Sequence, residues 1–166
     1  AARDPRFLAL YHRACESLDA YMAAQNTPAS NMLVAYFSME YGLLDCMNIY
    51  SGGLGVLSGD HLKASTDATL PLVGLGLLYQ RGYFRQSLDP DGGRQEKTHV
   101  KDFYSMPLLP VTQAEGADPG GDVLAGETKV FLKVWRIIVG RVLLYLMDSN
   151  IPQNTDPFKT HRARLS

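Results

Sequence analysis

Two apolar runs, residues 32–37 and 72–79, flank a glycine-rich segment and a helix-like stretch, and this arrangement narrows the fold more than any other feature of the chain. Short apolar runs bounded by loops read as buried strands. Between them, Ser51-Gly52-Gly53-Leu54-Gly55 leads into residues 56–68, which carry apolar or small side chains at 57, 64, 65 and 68 and a histidine at 61. That pattern predicts a helix beginning close to Gly55. Parallel strands need a crossover of this length, so the two runs are expected side by side or nearly so in a parallel pair. A unit of this kind belongs to a doubly wound α/β sheet, with 32–37 as a central strand covered on both faces.

The remaining elements follow from local signals. Phe7, Leu8, Tyr11, Ala14, Cys15, Leu18, Tyr21 and Met22 recur at helical spacing after Asp4-Pro5, which predicts an amphipathic helix over 5–24 capped by Asp4. A polar connector with Pro28 follows at 25–31. Gly74 and Gly76 interrupt the second apolar run and predict close approach of another backbone or helix. Asp89-Pro90-Asp91-Gly92-Gly93 is a turn signal and predicts a β-hairpin over 82–95. Residues 111–128 lack periodicity and are expected to contain an exposed loop. Two β-rich runs, 129–139 and 142–147, are joined by Gly140-Arg141, a two-residue hairpin connection. After residue 150 the chain turns polar, with no core of its own. The resulting division is an N-terminal helix and connector (1–31), a sheet-bearing part (32–155) and an irregular tail (156–166).

Composition removes several function classes. Hydrophobic residues make up 46% and charged residues 20%, which suits a packed globular chain rather than a disordered one. A net charge of −1 with scattered basic residues leaves no footprint for nucleic acid or an anionic membrane. No stretch of 18 apolar residues occurs, so no membrane span is expected. The two cysteines, Cys15 and Cys46, have no CxxC spacing or histidine cluster, so neither a metal site nor a disulfide framework is predicted and a cytoplasmic setting is expected.

The chemically loaded segment is Ile49-Tyr50-Ser51-Gly52-Gly53-Leu54-Gly55. Glycines let backbone N–H groups approach an anion, and the helix behind them adds its positive end, so a phosphate fits there. An isolated GGLG is equally a tight turn, and without further context the turn is the commoner case. The loop lacks GxGxxG and the Gly-Lys-Ser/Thr ending of a P-loop, which argues against dinucleotide and nucleoside-triphosphate enzymes.

The blocks around the loop add to this. Val34-Ala35-Tyr36-Phe37-Ser38-Met39-Glu40-Tyr41-Gly42, Ile49 through Asp60-His61-Leu62-Lys63-Ala64-Ser65, Pro71-Leu72-Val73-Gly74-Leu75-Gly76-Leu77-Leu78-Tyr79 and Gly82-Tyr83-Phe84-Arg85-Gln86 resemble successive blocks of bacterial-type α-glucan phosphorylases. Residues 104–110, 134–136 and 139–152 are similar to the blocks that follow. The resemblance covers most of residues 5–155. It implies part of the first, Rossmann-like lobe of a two-lobed B-type glycosyltransferase fold, with β-hairpin additions. It further implies phosphorolysis of an α-1,4-glucan by inorganic phosphate to glucose 1-phosphate in the full-length enzyme. The family's pyridoxal phosphate is held by a lysine of the second lobe, so this chain alone is expected to bind no cofactor covalently and to be inactive. An oligomer is compatible with the family.

Carried onto this sequence, the resemblance assigns Gly52, Gly53, Leu54 and Gly55 to the phosphate-facing loop, with Gly53 and Glu40 as the catalytic candidates. A methyl group at Gly53 is expected either to meet the anion or to forbid a positive φ. Glu40 follows the first strand, where ligands bind in open α/β sheets, and positioning sugar hydroxyls or water is its expected role. Asp60, His61 and Lys63 fall early in the helix, with His61 more readily a half-buried packing residue than a substrate contact. Lys63 is not the cofactor lysine. Arg85 and Gln86 line a cleft or merely solvate a hairpin, Trp135 reads as core, and Asp148 reads as a turn-capping carboxylate. A glycogen or starch synthase lobe is a competing reading, but the lysine that opens its glycine loop is absent here. A noncatalytic glucan-binding module is another.

Overall fold

The computed structural model describes residues 3–24, 32–82, 84–112 and 120–155. The connector at 25–31 and the tail at 156–166 lie outside the described residues. The chain is of mixed α/β class, built on a curled mixed sheet with few helices. Helix α1 (Pro5–Ala23) is capped as its sequence demands, the Asp4 carboxylate accepting from the Arg6 amide at 2.9 Å with proline in the first turn. Strand β1 (Val34–Phe37), helix α2 (Gly53–Asp67) and strand β2 (Leu72–Leu77) form the expected unit, with β1 and β2 parallel and Val34 opposite Leu72.

Strand β3 (Arg85–Leu88) and strand β4 (Arg94–Lys97) make the small hairpin around Gly92, whose φ of 80° explains the glycine. A 3₁₀ turn (Phe103–Ser105) leads to β5 (Leu109–Pro110), and β6 (Gly121–Ala125), β7 (Thr128–Val139) and β8 (Val142–Asp148) complete the sheet. The order is β1-β2-β8-β7-β5, with β6 also on β7. Strand β8 lies parallel to β2 and antiparallel to β7 across the Gly140-Arg141 turn. Gly140 adopts a φ of 59°, which the tight hairpin requires.

The core forms where α2 and the 41–49 segment pack on β2, β8 and β7. Tyr41, Met47, Ile49, Leu62, Leu144 and Leu146 are fully buried there. Gly74 admits the Leu62 side chain of α2, as its glycine signal predicted, and Gly76 admits the Tyr41 ring.

Two expectations are corrected, the central place of the first strand and the lack of any core after residue 150. Strand β1 is an edge of the described sheet rather than a central strand, and Phe37 is 71% exposed. An apolar run reports that a strand needs cover, and among the described residues only β2 supplies a neighbour. The buried face of α2 is Gly55, Ser58, Gly59, Leu62, Ser65 and Thr66. Glycine serves at 55 and 59 because the helix lies against Tyr50 and the Gly42 backbone there, while Leu57 is 63% exposed.

The stretch 111–128, expected to contain an exposed loop, also holds β6, paired with β7 through a turn at Gly126 with φ 66°, while residues 113–119 lie outside the described residues. Polar, glycine-rich sequence masked a short exposed strand. Finally, Asn154 is buried beyond residue 150, exchanging hydrogen bonds with the Phe131 N–H and C=O at 2.8 Å each. Helix α1 buries no residue and leaves Phe7, Leu10, Leu18 and Met22 exposed. Its contact is at the C-terminal end, where the Arg141 guanidinium sits 4.2 Å above the Tyr21 ring.

Candidate functional site

The segment leaving β1 folds back onto the start of α2 through glycines. The Gly42 amide donates to the Gly55 carbonyl at 2.7 Å. A Cβ on Gly59 would sit 2.1 Å from the Gly42 carbonyl oxygen, and one on Gly55 would sit 2.3 Å from Tyr50 Cβ. No side chain fits at either position, so the backbone contact itself sets how close the two segments lie. Ser38, Ser58 and Tyr36 add a polar tie: the Ser38 and Ser58 hydroxyls lie 2.7 Å apart, and Ser58 also donates to the Leu54 carbonyl at 2.8 Å.

This packing brings Glu40 to the glycine loop. Its carboxylate accepts from the Ser51 amide at 3.2 Å and the Ser51 hydroxyl at 3.0 Å. Glu40 therefore braces the loop in this structure, a contact that neither the position of Glu40 nor that of Ser51 announced in sequence. Helix α2 then starts with Gly52 as N-cap, and no side chain caps it. Gly55 and Val56 amides return to the Gly52 carbonyl at 3.1 and 3.4 Å, whereas among the described residues no acceptor meets the amides of Gly53 and Leu54. Orphan donors of this kind carry the positive end of the helix dipole and favour an anion.

Gly53 is not in the left-handed region, where the described glycines are Gly92, Gly126 and Gly140, and a Cβ there would meet nothing within 4 Å. The positive-φ expectation at Gly53 is thus corrected. Its openness is that of a first-turn residue exposed at the loop.

The other candidates separate. Asp60 and Lys63 are exposed on α2. His61 is exposed rather than half-buried, its ring tilted against that of Tyr36 with centroids 4.5 Å apart. Arg85 lines a cleft with Asn48, Gly82, His99 and Lys101, while Gln86 lies on the exposed hairpin. Trp135 is core, between Phe103 and Tyr104. Asp148 is buried at the end of β8 and caps the following turn, accepting from the Asn150 amide at 2.8 Å. Burial pushes its carboxyl above the usual range, partly offset by that bond. Beyond the ends of β1, β2 and β8 lies an apolar cleft of about 240 Å³, lined by Phe37, Met39, Leu75, Leu77 and Met147.

Tyr41 locks this region to the sheet. Its buried hydroxyl shares its one proton between the carbonyls of Tyr36 at 2.9 Å and Leu75 at 3.1 Å, and burial pushes its pKa up to about 12. A raised folded-state value contributes stability that is complete below about pH 10 and is lost as pH rises towards 12. Burial raises Tyr79 as well, with the Glu40 charge adding to it. Lys101, lowered to about 8 by burial, has the opposite sign and adds stability between about pH 8 and 10.5. Tyr41→Phe is therefore expected to lower stability by about 1–3 kcal/mol at pH 7, for one shared hydrogen bond and the two buried carbonyls it leaves without that donor. It should also flatten the loss above pH 10. Urea midpoints from pH 7 to 12 check this, and an identical pH profile in the variant would count against it.

No described lysine near the loop makes a cradle for an aldehyde cofactor. Lys63 is exposed on a helix face, and the Lys101 ammonium is held by the Asn48 and Tyr79 carbonyls. The residues present do not fit covalent attachment of pyridoxal phosphate.

Comparison with known proteins adds to this geometry. A family model described as a protein of unknown function (DUF3417) matches residues 1–47. A glycogen phosphorylase of Mycobacterium tuberculosis is 42% identical over 151 residues, 90% of this chain and 17% of that protein. A maltodextrin phosphorylase of Thermococcus litoralis is 36% identical over 165 residues, 96% of this chain and 20% of that protein. A glycogen phosphorylase of Aquifex aeolicus is 38% identical over 132 residues, 80% of this chain and 19% of that protein. The chain thus spans a fifth or less of the length of these relatives. Among the described residues no helix is long and apolar enough to cross a membrane.

Proposed function

The chain is homologous to the amino-terminal region of glycogen and maltodextrin phosphorylases, and from that premise we propose that its glycine loop is one wall of a site for phosphorolysis of an α-1,4-glucan. The sheet around it is then part of a Rossmann-like first lobe, spanning 32–155, in a two-lobed glycosyltransferase. The observation that carries the reading is the pair of open amides, Gly53 and Leu54, at the start of a 15-residue helix. In phosphorolysis a phosphate oxygen bonds to the anomeric carbon as the glycosidic C–O bond breaks, and the departing oxygen takes up a proton. Negative charge is concentrated beside the sugar throughout. Fixed N–H dipoles facing that charge lower the barrier, because they need no reorganisation as the reaction proceeds.

Glu40 acts here through Ser51. By accepting both Ser51 donors it holds the loop open-faced, so the amides point outward without a ligand to organise them. It is a positioning residue in this reading rather than a sugar contact. Pyridoxal phosphate belongs to the proposal for the full-length enzyme, where it would be held outside these residues, and no step is assigned to it here.

The 166 residues hold only this wall. The purified chain is therefore expected to show no Schiff-base absorbance with pyridoxal phosphate and no phosphate-dependent release of glucose 1-phosphate from glucan. A full-length phosphorylase containing this region should show both. Activity of the 166-residue chain above a heat-killed control, or phosphate-independent release by the full-length protein, would contradict the reading.

A further inference from the structure

A polar cleft lies at the base of the small hairpin, and none of its described lining residues belongs to the glycine loop. Its volume is about 220 Å³, and Asn48, Gly82, Arg85, His99 and Lys101 line it. The chain builds it at the base of the β3–β4 hairpin. Arg81 bridges Val100, and the Lys101 amide donates to the Gln80 carbonyl at 2.9 Å, so the strand leaving β4 lies beside the chain leaving β2. Gly82 leaves the room that Lys101 fills, since a Cβ there would fall 3.0 Å from both Cε and Nζ and 2.6 Å from the Asn48 carbonyl oxygen.

The charge in this cleft is one-sided. Lys101 gives two of its three N–H donors to the Asn48 and Tyr79 carbonyls, which hold the ammonium in place and neutralise nothing. The neighbouring Asp102 carboxylate is turned away, accepting from the Tyr104 amide at 3.0 Å. Among the described residues the ion pairs are Arg94–Glu96 and Lys129–Asp122, and neither involves Arg85, His99 or Lys101. Arg85, His99 and Lys101 thus line one cleft, and no carboxylate stands among its described lining residues. Arginine supplies a planar fork and lysine a point charge, a combination that suits the several oxygens and double charge of a phosphoryl group better than a single carboxylate.

We infer that the Arg85–His99–Lys101 cleft is a binding site for a phosphoryl group, carried either by free phosphate or by a phosphorylated sugar. The site does not rest on the phosphorolysis reading, because it uses none of the residues of the glycine loop.

The test is a titration of the ¹⁵N-labelled 166-residue chain with inorganic phosphate and, separately, with glucose 1-phosphate, each against chloride at equal ionic strength. Saturable shifts are expected at the amides of Gly82, His99 and Lys101. Shifts at Gly53 and Leu54 report on the other site, so failure of one leaves the other readable. The Arg85 side chain is exposed and makes no hydrogen bond or ion pair among the described residues, so Arg85→Gln should keep the fold while weakening binding about ten-fold or more. Lys101→Met should do the same. Tighter binding of glucose 1-phosphate than of phosphate identifies a phosphorylated sugar, and equal binding identifies free phosphate. Shifts at these three amides no larger than those from chloride, or unchanged affinity in a folded Arg85→Gln chain, would overturn the inference.

Discussion

Gly59→Ala is expected to destabilise the fold by about 2–3 kcal/mol, although alanine is the better helix former. Two effects compete. Removing a glycine from a helix interior favours the helix by about 1 kcal/mol. Against it, the new Cβ would lie 2.1 Å from the Gly42 carbonyl oxygen and 2.8 Å from its carbon. Those are backbone atoms, and they cannot swing aside as a side-chain terminus can. The Gly42 segment is also tied to Gly55 at 2.7 Å, and Tyr41 beside it is anchored in the core.

Relief therefore requires α2 to move off the 38–42 segment, which loosens Leu62 from the core and separates Glu40 from Ser51. The steric cost exceeds the propensity gain. Urea denaturation of the wild type and variant measures it, with Gly53→Ala as the control, since a Cβ at Gly53 meets nothing within 4 Å. An unchanged midpoint for Gly59→Ala would show that the close approach is not a constraint.

The parts of this fold that sequence made legible are those governed by local chemistry. Asp4-Pro5 caps α1, Asp89 to Gly93 turns the small hairpin, and Gly140-Arg141 turns the large one, because each needs only neighbouring residues. The parallel β1–β2 pair was legible because a crossover of this length leaves few alternatives. Long-range competition hid the rest. Strand β1 is apolar enough for a sheet interior yet has one described neighbour, and no local pattern reports how many neighbours a strand will find.

The buried face of α2 went unread because hydrophobicity was the guide. A helix packed against backbone buries glycine and serine at 55, 58 and 59, which look polar or neutral in sequence. Their spacing, one helical turn around Leu62, was the signal available. At the site, the glycine loop was visible from its composition, whereas the Glu40–Ser51 brace depends on an 11-residue loop closure that spacing alone does not specify. The basic cleft was half visible. Arg85 stood out in sequence, but His99 and Lys101 join it only through the base of the hairpin.

The central claim is that the open amides at the start of α2 act on charge at the reacting phosphate. Gly53→Ala in a full-length phosphorylase containing this region tests it most directly. The free loop accommodates the methyl group, with no contact within 4 Å and no left-handed φ to forbid it, so stability should stay near parental. Any loss must then arise where a ligand fills the space in front of the amide. Glucan binding draws on many sugar contacts, while the amide acts on charge that develops during bond exchange, so the loss should fall on kcat rather than on KM for glucan. The amide itself survives the substitution, so the effect comes from the methyl group holding the anion off the Gly53 N–H. Loss of one such contact costs about 10²–10³ in turnover, or about 3–4 kcal/mol. The measurement is kcat and glucan KM for the two proteins, with urea midpoints alongside. A fall of that size in kcat, with KM and midpoint held, is the result this account predicts; a folded variant with near-parental kcat would contradict it and return Gly52 through Gly55 to the status of a structural turn.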